Sequence, residues 1–124
     1  MKKKWKFDFI NNGKEFTFPE IGIDADVELN LELLMLQDKI ATEMSKQLGI
    51  DVEHIPDNHP KKEFYKTIWS IKFNLEIAYF MLKKIDPNVK KSQVSKLGGK
   101  VLAEMVLDIF TPESDDKKDF HKAT

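Results

Sequence analysis

The longest periodic run of apolar residues lies between Pro60 and Ile85. Its members recur at steps of three and four, which is the spacing of one stripe along a helix. This first stripe comprises Phe64, Ile68, Ile71, Leu75, Ala78, Leu82 and Ile85. A second stripe, roughly opposite, comprises Trp69, Phe73, Ile77 and Phe80. A helix with apolar residues on two opposite sides needs both sides covered. We therefore predict a central helix over about 60–85 whose second stripe is either core or a partner-binding surface.

Near the amino terminus the apolar residues follow a period of two, which is typical of extended chain. The alternating aromatic residues are Trp5, Phe7, Phe9, Phe16 and Phe18. Asn12 and Gly13 between them favour a tight hairpin turn, because both residues adopt positive φ readily. We predict a β-hairpin over 4–18 with Phe9 opposite Phe16. Since an isolated hairpin is barely stable in water, its aromatic side should pack on helices. The predicted fold class is α+β, an N-terminal β-hairpin packed on a mainly α-helical body of about three helices.

Another apolar stripe predicts a helix over about 27–48. The stripe comprises Leu29, Leu33, Leu36, Ile40 and Met44. Asp24 or Asp26 can cap its start, and Gly49 suits the position after its end. Alternation of apolar residues over 27–33 is also compatible with a strand, so the start of the helix is ambiguous.

A third helix is predicted over about 92–110, after a possible cap at Ser92. Gly98 and Gly99 lower its helix propensity. Either they permit a close helix crossing, or the regular helix begins near Lys100. Residues 113–124 are almost entirely polar and are predicted to form a flexible tail after a single globular domain over 1–112.

Composition narrows the classes of function. The net charge is −1, so there is no overall field to attract nucleic acid or an anionic membrane. The chain has no cysteine, which excludes disulfides and cysteine-ligated zinc and fits the cytoplasm. Lys72, Asn74 and Glu76 interrupt the central helix, so we expect no membrane span. Residues 5–18 alternate with charged residues and lack the continuous apolar core of a signal peptide, so we expect no secretion. The lysines between Met1 and Phe7 are interpreted as solubilising a strand edge rather than contacting nucleic acid.

Candidate chemistry is sparse. His54 and His59 flank Asp57, but their spacing matches no metal-binding pattern, and we interpret them as solvated loop residues. No nucleophile elbow, phosphate loop or catalytic triad pattern is recognisable. We therefore predict a protein that is not an enzyme and that uses no metal or other cofactor.

The order of these elements resembles a known family. An aromatic segment around Asn12-Gly13-Lys14, reading FDFINNGKEFTF, leads into a small helical body and a charged end. In size and layout this is similar to the tail assembly chaperones of long-tailed bacteriophages. The resemblance implies a non-enzymatic protein that acts in the host cell cytoplasm during tail assembly. It also implies two partners, the long helical tape measure protein, which it keeps soluble, and the tail tube subunits.

A competing hypothesis is a small inhibitor or adaptor from a mobile element that binds one folded target. Either hypothesis makes protein the partner and leaves self-association open. The candidate partner-binding residues are Trp69, Phe73, Ile77 and Phe80. We expect the client helix to lie along them, as a helix lies in a groove.

Overall fold

The computed structural model describes residues 2–111, and within them the chain forms α-helices and no strand. The helices are α1 (Val27–Leu48), α2 (Lys62–Ile85), α3 (Lys91–Ser95) and α4 (Gly99–Phe110). α2 packs against each of the other three helices and so forms the centre of the domain. The core lies along its second half, where Ile77, Ala78, Met81 and Leu82 are buried. The predicted tail over 113–124 lies outside the described residues.

The α+β prediction is wrong, because the predicted β-hairpin over 4–18 does not form. Across residues 2–111 the chain has an all-α fold. Trp5 and Phe16 make an isolated antiparallel bridge, with N–H to O distances of 2.9 and 3.0 Å. The residue opposite Phe16 is therefore Trp5 and not Phe9, and no ladder extends from the pair.

The reason lies in the residues between the two bridge partners. Asn11, Asn12 and Gly13 all have positive φ and form a short 3-10 turn. Ile10, immediately before it, is fully buried in the core. The Asn11 N–H donates to a carboxylate oxygen of Asp86, just after α2, at 3.0 Å. These tertiary contacts hold the loop against the helices and prevent the strand pairing that the alternation predicts.

α1 has the caps that its sequence predicts. The Asp26 side chain accepts a hydrogen bond from the Leu29 N–H at 3.1 Å. Gly49 ends the helix in the left-handed conformation, and its N–H donates to the Ser45 carbonyl. The cap at Asp26 resolves the ambiguity at the start of α1 in favour of a helix. Its side chain satisfies a backbone N–H of the first helical turn, which in a strand would bond to a neighbouring strand instead.

The first stripe of α2 is buried over its second half only. Ala78 and Leu82 are fully buried, whereas Phe64 and Ile71 are 59% and 58% exposed. Beside Ile71 the chain leaves an open groove between α2 and the α3–α4 region instead of a covering element. The expectation that both apolar sides of the central helix are covered is therefore wrong for the first turns of this stripe.

Two helices stand where the sequence predicts one over 92–110. α3 ends at Ser95 and α4 starts at Gly99. Gly98 between them has φ 89° and ψ 157°, a conformation essentially restricted to glycine. The glycine pair therefore marks a break in the helix, and regular α4 begins one residue before Lys100.

Candidate functional site

The second stripe of α2 does not form one open surface. Ile77 is fully buried, while Trp69, Phe73 and Phe80 are half-buried and packed against the core. The Phe73 ring lies 5.3 Å from the Trp69 ring and stacks on Phe110 of α4 at 6.4 Å. The structure therefore uses much of this stripe to join α2 to α4.

Phe80 lies apart from the other three, in a shallow groove of about 360 Å³ that also includes Leu36 of α1. The Lys84 ammonium lies 5.1 Å from the centre of the Phe80 ring. The same ammonium contacts the Glu32 carboxylate of α1 at 3.1 Å. The Lys84 ammonium is attracted to the face of the Phe80 ring and covers part of it, so Phe80 is only partly accessible.

The largest set of exposed apolar residues on one helix lies on α1, where the sequence predicts no site. We call Val27, Leu31, Leu34 and Met35 the α1 strip. Their side chains are between 53% and 71% exposed. Spacings of four and seven place them on one side of α1, and the buried Leu29, Leu33 and Ile40 lie on the other. The continuous run LLML at 33–36 is the sequence signal for this second apolar side, since one inward stripe cannot accommodate four adjacent apolar residues.

The surroundings of the α1 strip are acidic. Residues 24–38 contain no lysine or arginine, and their acidic residues are Asp24, Asp26, Glu28, Glu32 and Asp38. Asp26 is used as the helix cap, and Glu32 contacts Lys84. Asp24, Glu28 and Asp38 are exposed at the ends and edge of the strip. Lys39, exposed one turn after Met35, is the nearest lysine on α1, and the five acidic residues outnumber it. The strip is therefore an apolar surface within a net negative local field.

A second open apolar surface is the groove of about 560 Å³ between α2 and the α3–α4 region. Its apolar residues are Ile71, Leu75 and Leu102, and its rim carries polar side chains that include Glu63 and Lys66. The groove is less apolar than the α1 strip because charged side chains of both signs line it.

A half-buried carboxylate on α2, that of Glu76, makes an ion pair with α3. Glu76 is paired with Lys72 at 3.2 Å and with Lys91. Burial alone raises the pKa of Glu76, but the hydrogen bonds from Lys91 and Lys72 outweigh it, so the pKa lies below its ordinary value. The contact with Lys91 joins α3 to α2, whereas Lys72 belongs to α2 itself.

The two loop histidines have separate local partners. His54 Nδ1 lies 2.9 Å from the Asp51 carboxylate, whose hydrogen bond raises the pKa of His54. His59 Nδ1 accepts from the Lys61 N–H at 3.0 Å. Within residues 2–111 no group of three or more potential ligands (His, Cys, Asp or Glu) is placed to hold a metal ion.

The described residues therefore offer two open apolar surfaces, the α1 strip and the groove between α2 and the α3–α4 region. Neither surface coincides with the predicted second stripe of α2. Among these residues, no helix has both the length and the apolar character required to cross a bilayer. Comparisons with protein-family models, with curated proteins and with solved structures find no match for this chain.

Proposed function

We propose that this chain is a non-enzymatic chaperone that binds apolar helical segments of another protein along the α1 strip. The observation that carries the proposal is that four large apolar side chains, each more than half exposed, share one side of one helix. A patch of this kind exposed to water is an aggregation liability unless a partner covers it. A helical client fits best, because side chains spaced by four and seven form a ridge that packs into the grooves of another helix.

The magnitudes favour weak, reversible binding. Full burial of one large apolar side chain is worth about 1.5–3 kcal/mol, so four that are more than half exposed offer roughly 4–8 kcal/mol. Association itself costs about 4–15 kcal/mol in lost freedom of motion. The side chains of the strip therefore gain at most little more than association costs, so binding also needs the apolar side chains that the client buries and stays weak for each client segment. That is what a chaperone needs if it must later release the client.

The resemblance to tail assembly chaperones gives the client a candidate identity, the tape measure protein, with tail tube subunits as a second partner. In this proposal the chain acts in the host cell cytoplasm before the tail tube forms. The aromatic hairpin that carried part of the resemblance is absent from the described residues. Support for the proposal therefore comes from the α1 strip and from the small helical body around α2.

The test is co-expression with a tape measure protein encoded by the same genome. We expect the soluble fraction of that protein to rise with the wild-type chain and to fall back with Leu31→Asp/Leu34→Asp. The matched control is Leu107→Asp, which changes a similarly exposed leucine on α4 and should leave the effect intact. Circular dichroism checks that every variant is folded.

Two results would overturn the proposal: unchanged client solubility without the chain, or full activity of the strip variant. The mass of the complex separates the chaperone from the competing hypothesis. Several copies bound along one client are expected of a chaperone. One copy bound to one folded target would instead favour a small inhibitor or adaptor.

A further inference from the structure

The charge around the α1 strip constrains the chemistry of what can cover it. Asp24, Glu28 and Asp38 are exposed beside its apolar residues. Lys39, one turn after Met35, is the nearest lysine on α1, but residues 24–39 contain five acidic residues against this one lysine. Lys84 contacts Glu32. An apolar helix with acidic or neutral flanks would bury its leucines there but would gain nothing from this field. A helix with basic flanks would gain from burial of its leucines and also from attraction to the acidic residues.

The same charges disfavour two other occupants. A second copy of the chain packed α1 to α1 would bring together two segments that each contain five acidic residues and one lysine, Lys39, between positions 24 and 39. Like charges placed across an interface oppose association. An anionic lipid surface would be repelled in the same way, because membrane-surface helices carry lysine and arginine on their polar side.

We infer that the α1 strip binds a cationic amphipathic helix, one with apolar residues spaced by three and four and with lysine or arginine beside them. This inference rests on the proposed function and specifies the chemistry of the client segment. The apolar row of the client covers Leu31, Leu34 and Met35, and its basic residues lie near Glu28 and Asp38. The field should also speed the encounter between the two helices, and salt should reduce that effect.

The test uses two synthetic helical peptides of about 18 residues, or five turns. Both carry the same row of leucines at steps of three and four, and their flanking charges are all lysine in one and all glutamate in the other. Fluorescence anisotropy with the full chain should show binding of the lysine peptide and little binding of the glutamate peptide. Salt at about 1 M, where the screening length is about 3 Å, should reduce the difference.

Three variants identify the surface. Glu28→Gln/Asp38→Asn should weaken binding of the lysine peptide roughly fivefold, since each exposed charge contributes modestly. Leu31→Gln/Leu34→Gln should abolish binding without changing the charge. Glu43→Gln is the matched charge control and should bind like the wild type. Glu43 is exposed on α1, about 80° or more around the helix axis from each residue of the strip and about 12 Å along the axis beyond Met35.

The outcomes separate this inference from the proposed function. Equal binding of both peptides, lost in Leu31→Gln/Leu34→Gln, overturns the cationic preference and leaves apolar docking intact. Binding of the lysine peptide that survives that leucine variant is general charge attraction and overturns the inference. A wild-type dimer that becomes monomeric in the leucine variant makes a second copy the occupant and also overturns it. Co-expression with the client tests the proposed function independently of all three.

Discussion

Trp5 and Asp108, 103 positions apart in the chain, are joined by a hydrogen bond from the indole Nε1 to a carboxylate oxygen at 2.8 Å. The other oxygen of Asp108 accepts from the Lys3 N–H at 3.3 Å. Trp5 is buried, so its N–H depends on this acceptor. The amino-terminal segment is thereby attached to α4, and not only to its own bridge partner Phe16.

Asp108→Ala should lower the free energy of unfolding by about 1–3 kcal/mol, because it leaves the buried indole N–H without its acceptor. Urea denaturation measures the change. Glu104→Gln is the control, since Glu104 is exposed and only 3.9 Å contact with Lys3 is lost, so its effect should stay within about 0.5 kcal/mol. A double-mutant cycle with Trp5→Phe should show coupling, and strictly additive effects would contradict the contact.

Lys2 also holds the end of α4. Its ammonium donates to the carbonyls of Asp108 and Ile109 at 2.5 and 2.9 Å, and the side chain is 7% exposed. A cation at the carboxyl end of a helix satisfies free carbonyls and interacts favourably with the helix dipole. Lys2→Met should therefore destabilise the fold by about 1–2 kcal/mol in thermal or urea unfolding. Lys4→Met, at an exposed position, should change little, and equal effects of the two variants would contradict the capping role.

The contacts of Trp5 and Lys2 show where sequence reasoning stops for the amino-terminal segment. The period of two is correct for Trp5, Phe16 and Phe18, which are buried, but not for Phe7 and Phe9, which are half-buried, or for Ile10, which is out of phase with them and fully buried. It does not identify what the segment pairs with. The partners of this segment include Asp108 of α4 and Asp86 after α2, and no local pattern encodes contacts so distant in sequence.

For the helices, the ends can be predicted from the local sequence, but the side that is covered cannot. The ends of α1 are encoded locally, by the Asp26 cap and the left-handed Gly49. Which apolar side of a helix is covered is not local, because it depends on the neighbours that the fold supplies. α2 has two apolar sides and uses much of both for packing, whereas α1 has two and leaves Leu34 and Met35 in solvent. The exposed apolar side of α1 is therefore one that the stripes in the sequence did not identify.

Acid should weaken the contact between α2 and α3. The pKa of Glu76 is lower in the folded protein than its ordinary value, despite burial, because of Lys91 and Lys72. The stabilisation is thus fully present above the ordinary carboxyl pKa of about 4.3 and is lost as the pH falls through the lowered folded-state pKa. Glu76→Gln should be less stable at neutral pH by about 1 kcal/mol and should lose less stability below about pH 4.3.

Chemical unfolding at a series of pH values measures this difference. Glu63→Gln is the matched control, because it changes an exposed glutamate in the first turn of α2 and leaves the contacts of Glu76 in place. Other carboxylates with lowered pKa, including Asp51 and Asp57, titrate in all three proteins and cancel in the comparison. Parallel curves for the wild type and Glu76→Gln would show that Glu76 does not contribute to the acid sensitivity.

The glycine pair before α4 should respond to alanine with opposite signs. Gly98 has φ 89°, so a side chain there is strained, and Gly98→Ala should cost about 1–3 kcal/mol. Gly99 is the first residue of α4, and an added Cβ would meet no atom within 4 Å. Gly99→Ala should therefore raise stability by about 0.4–1 kcal/mol by restricting the unfolded chain. Thermal unfolding distinguishes the two, and a destabilised Gly99→Ala would contradict the open surroundings of that residue.

Phe73→Ala and Leu34→Ala separate a packing surface from a binding surface. Phe73 is half-buried between Trp69 and Phe110, so truncating it should destabilise the protein by about 2–3 kcal/mol, less than for a fully buried phenylalanine. Leu34 is 63% exposed, so Leu34→Ala should change stability by no more than about 0.5 kcal/mol. Urea denaturation gives both values, and binding of the tape measure protein is measured on the same samples.

We expect Leu34→Ala to weaken client binding in a protein of wild-type stability. Phe73→Ala should bind the client normally under conditions where it is still folded, because the ring contacts the domain itself. The reverse result, a stable Phe73→Ala that no longer binds, would indicate that the client binds to the second stripe of α2. A large loss of stability in Leu34→Ala would mean that the α1 strip is already covered in solution, since an exposed leucine has few contacts to lose.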